Sequence, residues 1–107
     1  MSSDDNITLV DKLINFIEKD KLNKGQKKRL LKVIYSIENA TKIQIDRFVL
    51  FYGLKQERQK FTQISKIYNC SSSAIRGSVI TVRNKLSRYE HVMKVVEKIV
   101  KQCEKIE

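Results

Sequence analysis

The side chains able to do covalent or metal chemistry are few and scattered. Cys70 and Cys103 are the two thiols, and His91 is the sole histidine. A four-ligand zinc site made from these would need carboxylates from elsewhere in the chain. Two reduced thiols in a cytoplasmic setting are the plainer reading. No Cys-His pair is placed together in sequence, no glycine-rich phosphate loop occurs, and no carboxylates cluster. An enzyme is therefore not expected, nor a cofactor or a metal. What the chain does carry is polyanion chemistry. Between Glu57 and Glu90 there is no acidic side chain, while Arg58, Lys60, Lys66, Arg76, Arg83, Lys85 and Arg88 fall in that stretch. Guanidinium and ammonium groups gathered without counter-charge neutralise phosphates.

The wider composition agrees. The chain has 107 residues and a formal net charge of +10, a length suited to one domain with a modest core. The charge is uneven: residues 1–20 hold Asp4, Asp5, Asp11, Glu18 and Asp20 against Lys12 and Lys19 alone. The remainder is cationic, and nucleic acid fits it better than a membrane surface, which would call for exposed aromatic residues beside the lysines. The first twenty residues are acidic and amphipathic, so no secretory leader is expected. No apolar run approaches the roughly 20 residues that span a bilayer. A cytoplasmic protein is expected.

These cations need rigid elements, and the periodicity is helical almost throughout. There is no proline and only three glycines to interrupt it. Leu9, Val10, Leu13, Ile14, Phe16 and Ile17 form a first apolar stripe, with Asp4, Asp5, Asn6 and Thr8 offered as caps. A turn over 20–25 leads to a second helix carrying Leu30, Leu31, Val33, Ile34 and Ile37 inward and stopping near Glu38. Thr41 and Gln44 make a capping-box pattern for a third helix with Ile45, Phe48, Val49 and Tyr52, which Gly53 can end in the left-handed conformation. A polar connection runs to Lys60.

Residues 61–68 then form a short helix with Phe61, Ile64, Ile67 and Tyr68 apolar. Asn69 suits a left-handed turn, and Ser71 or Ser72 can cap a fifth helix reaching about Leu86. A last helix over about 88–105 shows Val92, Val96, Ile99, Cys103 and Ile106 at steps of four and three. The fold class expected is an all-α, single-domain bundle of about six helices containing a helix-turn-helix.

That fourth helix, turn and fifth helix have the layout of a DNA-reading pair. A recognition helix buries one face on its supporting helix and presents the other to the major groove, its first residues nearest the bases. Ile64, Ile67, Ile75, Val79 and Val82 supply the buried faces. Ser72, Ser73, Arg76, Gly77, Ile80 and Thr81 are left facing outward, with Lys66, Arg83, Lys85 and Arg88 placed to neutralise phosphates of double-stranded DNA. The competing reading is a plain bundle whose basic face is merely solvated.

At these residues the chain resembles the C-terminal promoter-binding region of bacterial sigma factors. Phe51-Tyr52-Gly53-Leu54 is similar to the family's helix end. Phe61, Ile64, Ser65, Ile67, Tyr68, Asn69, Cys70 and Ser71 follow its supporting helix and turn, and Ile75, Arg76, Val79, Val82, Arg83, Lys85 and Leu86 its recognition helix. The likeness covers about 45–88. It implies that Ser72, Ser73, Arg76 and Gly77 stand where sigma factors reach DNA, that Ser71 is the capping serine, and that RNA polymerase is a possible partner. Where the family has large charged or amide side chains this chain has Ser72, Ser73 and Gly77, so base readout is expected to be thin. Asn69 replaces a turn glycine and Ser65 an alanine.

Residues 1–40 supply only two helices, too few for a promoter-melting domain. The chain is thus expected as a sigma-like transcription regulator, of the small phage or mobile-element kind, or as one half of a split factor. In this reading 1–40 packs on the core, 41–88 is the helix-turn-helix unit, and 89–107 either folds back or pairs with a second copy as a homodimer reading half-sites about 34 Å apart. Two rivals remain: a stand-alone dimeric repressor or activator, and a module that binds polymerase or a sigma factor without touching DNA. Phe48, Phe51 and Tyr52 are candidates for the core or for a polymerase-docking surface. Tyr89 and His91 read as boundary residues.

Overall fold

A computed structural model describes the backbone of residues 3–106 and the side chains of residues 5–105. The side chains of Asp4 and Ile106, expected as a cap and as part of the last stripe, lie outside that range. Over the described residues the chain folds as an all-α domain of six helices: α1 Ser3–Glu18, α2 Lys24–Tyr35, α3 Lys42–Tyr52, α4 Phe61–Tyr68, α5 Ser72–Leu86 and α6 Glu90–Ile106. No strand occurs among the described residues. No helix among them is long and apolar enough to cross a membrane.

The helix ends follow local chemistry. Thr41 and Gln44 form the reciprocal capping box, with Gln44 N–H donating to Thr41 Oγ1 at 3.1 Å and Thr41 N–H to Gln44 Oε1 at 3.2 Å. Gly53 ends α3 at φ 66°, and Asn69 ends α4 at φ 51°. Asn23 and Gln26 make a second capping box at the start of α2, inside the stretch read from sequence as a bare turn. At α4, Gln63 Oε1 accepts from Lys60 N–H at 2.8 Å; a lysine has no acceptor to return the favour, so only half the box forms.

Three boundaries differ from expectation. α1 begins at Ser3, so Asp5, Asn6 and Thr8 lie inside the helix instead of capping it. Asn6 instead reaches across the fold, Nδ2 donating to the carbonyl of Ser87 at 3.0 Å. α2 stops at Tyr35, with Ile37 buried from the connection that follows. α6 begins at Glu90 rather than Arg88.

Packing sorts the helices around α3 and α5. α5 lies against α3, α4 and, near its C-terminal end, α1; α6 lies across α1 and α2. The main core gathers Leu13, Leu30, Ile34, Phe48, Val82, Leu86, Val96 and Ile99 from five helices. Phe48 and Tyr52 are buried within it and present no docking surface, while Phe51 stacks on Phe61 at 4.1 Å between ring centroids. Val92, Met93, Val96, Ile99, Val100 and Cys103 of α6 are buried inside the same chain. The stripe considered for a second copy is thus occupied by α1 and α2.

Arg58, in the α3–α4 connection, closes the end of α1. Its guanidinium donates to the carbonyls of Ile17 at 3.1 Å and Glu18 at 2.7 Å and pairs with Asp20 at 2.9 Å. A cation over the last carbonyls of a helix satisfies orphan acceptors and opposes the negative end of the macrodipole. The connection depends in turn on Gly53. A Cβ there would approach Arg58 Cγ to 2.7 Å and two backbone atoms to 3.0 Å, at a φ that L-residues avoid. Gly53→Ala is expected to destabilise the fold by about 2 kcal/mol or more. Urea unfolding measures it, and an unchanged midpoint would refute this account of the connection.

Candidate nucleic-acid interface

The turn between α4 and α5 is set by two residues. Asn69 takes the left-handed conformation, bringing the Cys70 N–H to the Ser65 carbonyl at 3.0 Å. Ser71 then caps α5, its Oγ accepting from Ala74 N–H at 3.1 Å. Ser72 is the first residue of the helix, not its cap. Ile64 and Ile75 are both fully buried where α4 packs on α5. Ile67 is not: the structure leaves it 59% exposed, which corrects its assignment to the buried face. Two turns of helix offer one buried position per turn, and Ile64 with half-buried Phe61 and Tyr68 fills the α4 side.

α5 is buried through Ile75, Ser78, Val79, Val82 and Leu86. Opposite them, Ser73, Gly77, Ile80 and Asn84 recur at steps of four, three and four and form one outward stripe. Arg76 is exposed at the edge of that stripe, Ser72 and Thr81 are half-buried, and Lys66 is exposed on α4. Ile80 keeps 44% of its surface in solvent. An exposed aliphatic side chain amid serine, glycine and asparagine gives the stripe a small, mildly apolar centre.

The orientation of this pair is tied by one arginine that no sequence pattern singles out. Arg47 of α3 donates to Ser78 Oγ on α5 at 2.9 Å, lies 3.7 Å from the sulfur of Cys70 in the turn, and sits 4.7 Å from the ring centroid of Tyr68 on α4. One guanidinium thus ties α3 to the end of α4, the turn and α5. Ser78 also donates to the Ala74 carbonyl at 3.2 Å. The available signal was a lone hydroxyl among the apolar positions Ile75, Val79 and Val82, since buried polar groups require partners.

The cations expected on phosphates divide into two groups. Neither Lys66 nor Arg76 has a carboxylate partner among the described residues, and both are exposed. Arg83 is engaged elsewhere, pairing with Asp11 of α1 at 2.6 Å. The hydrogen bond Arg83 donates to Asp11 holds the guanidinium pKa above the ordinary value despite partial burial. Lys85 bonds the carbonyl of Asn39 in the α2–α3 connection. Arg88 stands past the end of α5 in a groove that also holds Glu90 and Glu97. Arg83 and Lys85 therefore act first as ties between the second half of α5 and the body of the domain. Proximity in sequence put them with Arg76; the turn of the helix sends them to its two flanks.

Tyr89 and His91 are likewise fastened. The Tyr89 hydroxyl accepts from Asn39 Nδ2 at 2.9 Å, and His91 Nε2 lies 3.0 Å from Ser36 Oγ. No cluster of three or more metal-ligating side chains occurs among the described residues.

No protein-family model, curated protein or solved structure matches this chain.

The open centre of the stripe has a direct consequence. A Cβ added at Gly77 meets nothing within 4 Å, and glycine costs a helix interior roughly 0.5–1 kcal/mol relative to alanine. Gly77→Ala should therefore raise stability by about that amount in a thermal or urea melt, opposite in sign to the change at Gly53. A loss of stability would mean that this turn of α5 is not a regular, solvent-facing helix.

Proposed function

We propose that this protein is a DNA-binding transcription regulator, built like the promoter-binding region of a sigma factor, that inserts the first half of α5 into the major groove. The observation that carries the reading is the bare outer face of α5. No other helix covers Ser73, Arg76, Gly77 or Ile80, while the opposite face of the same helix is core. A helix is about 10–12 Å across with its side chains and the major groove about 12 Å wide, so only a helix stripped of neighbours on one side can enter. The acid-free run from Arg58 to Tyr89 leaves that face without a charge that repels phosphate.

Each residue then has a part. Arg76 contacts a base edge or a phosphate from the edge of the stripe. Ser72 and Ser73 make short polar contacts near the start of the helix, and Ser71 fixes that start. Gly77 lets the backbone approach closely, and Ile80 meets apolar groups such as a thymine methyl, with Thr81 beside it. Lys66 neutralises a phosphate from α4. Arg83 and Lys85 contribute chiefly through the field of the domain, since their head groups already bond Asp11 and the Asn39 carbonyl, and Arg88 adds an exposed charge past the end of α5. Base readout by such short side chains discriminates weakly. In the sigma-like reading, RNA polymerase supplies the remaining affinity and placement.

A salt titration separates these roles. Arg76→Ala should weaken binding to duplex DNA and lower the slope of log affinity against log salt by about 0.9, the loss of one phosphate contact. Arg83→Ala should lower the melting temperature and leave the slope nearly unchanged. Equal slopes for the wild type and Arg76→Ala, at equal affinity, would falsify the docking face.

A further inference from the structure

A second cationic feature lies on a different part of the fold. An open cleft of about 790 Å³ runs between α2 and the α3–α4 connection. Lys24, Lys27 and Lys28 share one face of α2, at steps of three and one, and Lys55 stands on the facing wall. The Lys55 ammonium is held 5.0 Å above the Tyr35 ring. None of the four has a carboxylate partner among the described residues. At the edge Arg58 is neutralised by Asp20, leaving Glu57 as the one unpaired carboxylate among the lining residues. Half-buried Leu31 and buried Leu54 line the same cleft.

Three features decide the class of occupant. A duplex is a convex, wholly polar polyanion, whereas this site is concave and partly apolar. Single strands are held by stacking bases on aromatic rings, and no aromatic residue lines the cleft. Position also matters: α2 packs on α3 and α6, whereas α5 packs on α3, α4 and α1. The helix that bears the cleft and the helix that bears the stripe assigned to DNA therefore share α3 as a neighbour and otherwise pack on different elements. Cations on two walls with leucines between them complement a peptide that carries carboxylates on either side of an apolar side chain.

We propose that this cleft is a docking site for an acidic, leucine-bearing segment of a partner protein. Lys24, Lys27, Lys28 and Lys55 meet its carboxylates, and Leu31 with Leu54 receives its apolar side chain. The site goes beyond the DNA-binding reading and does not depend on it.

The test uses a short fluorescein-labelled peptide of alternating glutamate and leucine, followed by anisotropy at physiological salt in the absence of DNA. Saturable binding to the whole chain is expected. The pair K27Q and K28Q should weaken it by about tenfold, and Leu31→Asn by about fivefold. These positions are exposed or half-buried at the surface, and a melt of each variant checks that it remains folded. Duplex DNA titrated against K27Q/K28Q should bind within about twofold of wild type, because a phosphate more than a Debye length of about 8 Å away feels little of the change. Three results would overturn the proposal. The first is no saturable peptide binding. The second is peptide binding indifferent to Leu31→Asn and displaced equally by oligothymidylate, which would mark a general polyanion surface. The third is loss of duplex affinity in K27Q/K28Q as large as in Arg76→Ala, which would make the cleft part of the DNA face. Failure of the DNA reading itself appears only in the Arg76 titration, so the two outcomes stay distinct.

Discussion

α5 must be a strut of the core on one side and bare on the other, and the rest of the structure follows from that constraint. Ile75, Val79, Val82 and Leu86 bury one face of it against α3, α4 and α1. A helix held by packing on three neighbours cannot roll without opening voids, and interiors packed to crystal density resist such changes. The outward stripe is therefore presented at a fixed angle before any ligand arrives. Binding then costs little ordering entropy. Arg47 serves the same end with polar contacts: it joins α3 to Ser78, Cys70 and Tyr68, so the angle between α4 and α5 is set by directional bonds as well as by apolar contact.

Charge is used to assemble the domain as much as to equip its surface. The acidic first helix is not a repulsive appendage. Asp11 takes Arg83, Asp20 takes Arg58, and Lys12 meets Glu104 of α6. Each pair is at least a third exposed, so each adds little to stability by itself. Their larger effect is on distribution. They withdraw two of the cations nearest the helix-turn-helix and leave Lys66 and Arg76 as the exposed positive groups of α4 and α5 themselves. The charge exposed on those two helices is thus smaller, and more localised, than the net +10 of the chain suggests.

Helix number, order and most helix ends were legible because they depend on local rules. The Thr41 and Gln44 box, the left-handed Gly53 and Asn69, and the Ser71 cap are all decided by residues within four positions of one another. The α5 stripe was legible for the same reason, since a period of 3.6 fixes which residues share a face. What escaped was non-local. Ile67 reads as buried by spacing, yet α4 is too short to need it. Arg83 and Lys85 read as free because their partners, Asp11 and Asn39, are distant in sequence. Asn6 reads as a cap, but its amide answers a carbonyl at the far end of α5. Arg47 lies in a helix that offered only apolar positions to a sequence reading, and its role exists only once three elements meet. The cleft beside α2 belongs to the same class: only the α3–α4 connection gives its lysines an opposite wall.

The two surfaces illuminate each other. In the docking proposed for α5, a stripe of serine, glycine and isoleucine would let the helix backbone come close to bases but give it few directional contacts, and each good bidentate contact it lacks forgoes about 1–3 kcal/mol of discrimination. On the proposed DNA-binding reading, so little intrinsic selectivity calls for location to be specified by something else, and the docking cleft proposed beside α2 would hold a partner without competing for the groove. The lysines of that site are badly placed for the helix that carries them. Lys24, Lys27 and Lys28 occupy the first two turns of α2, whose first turn holds no acidic residue, against a macrodipole that favours negative charge there. A helix start that works against its own dipole is a local conflict of the kind folded proteins keep at functional surfaces. The acidic segment proposed for the cleft would resolve it, because the same carboxylates that pair with the lysines would also answer the dipole. Under the two proposals together, tethering of this sort would convert weak DNA contacts into an effectively intramolecular event, with local concentration supplying affinity that the short side chains of α5 do not.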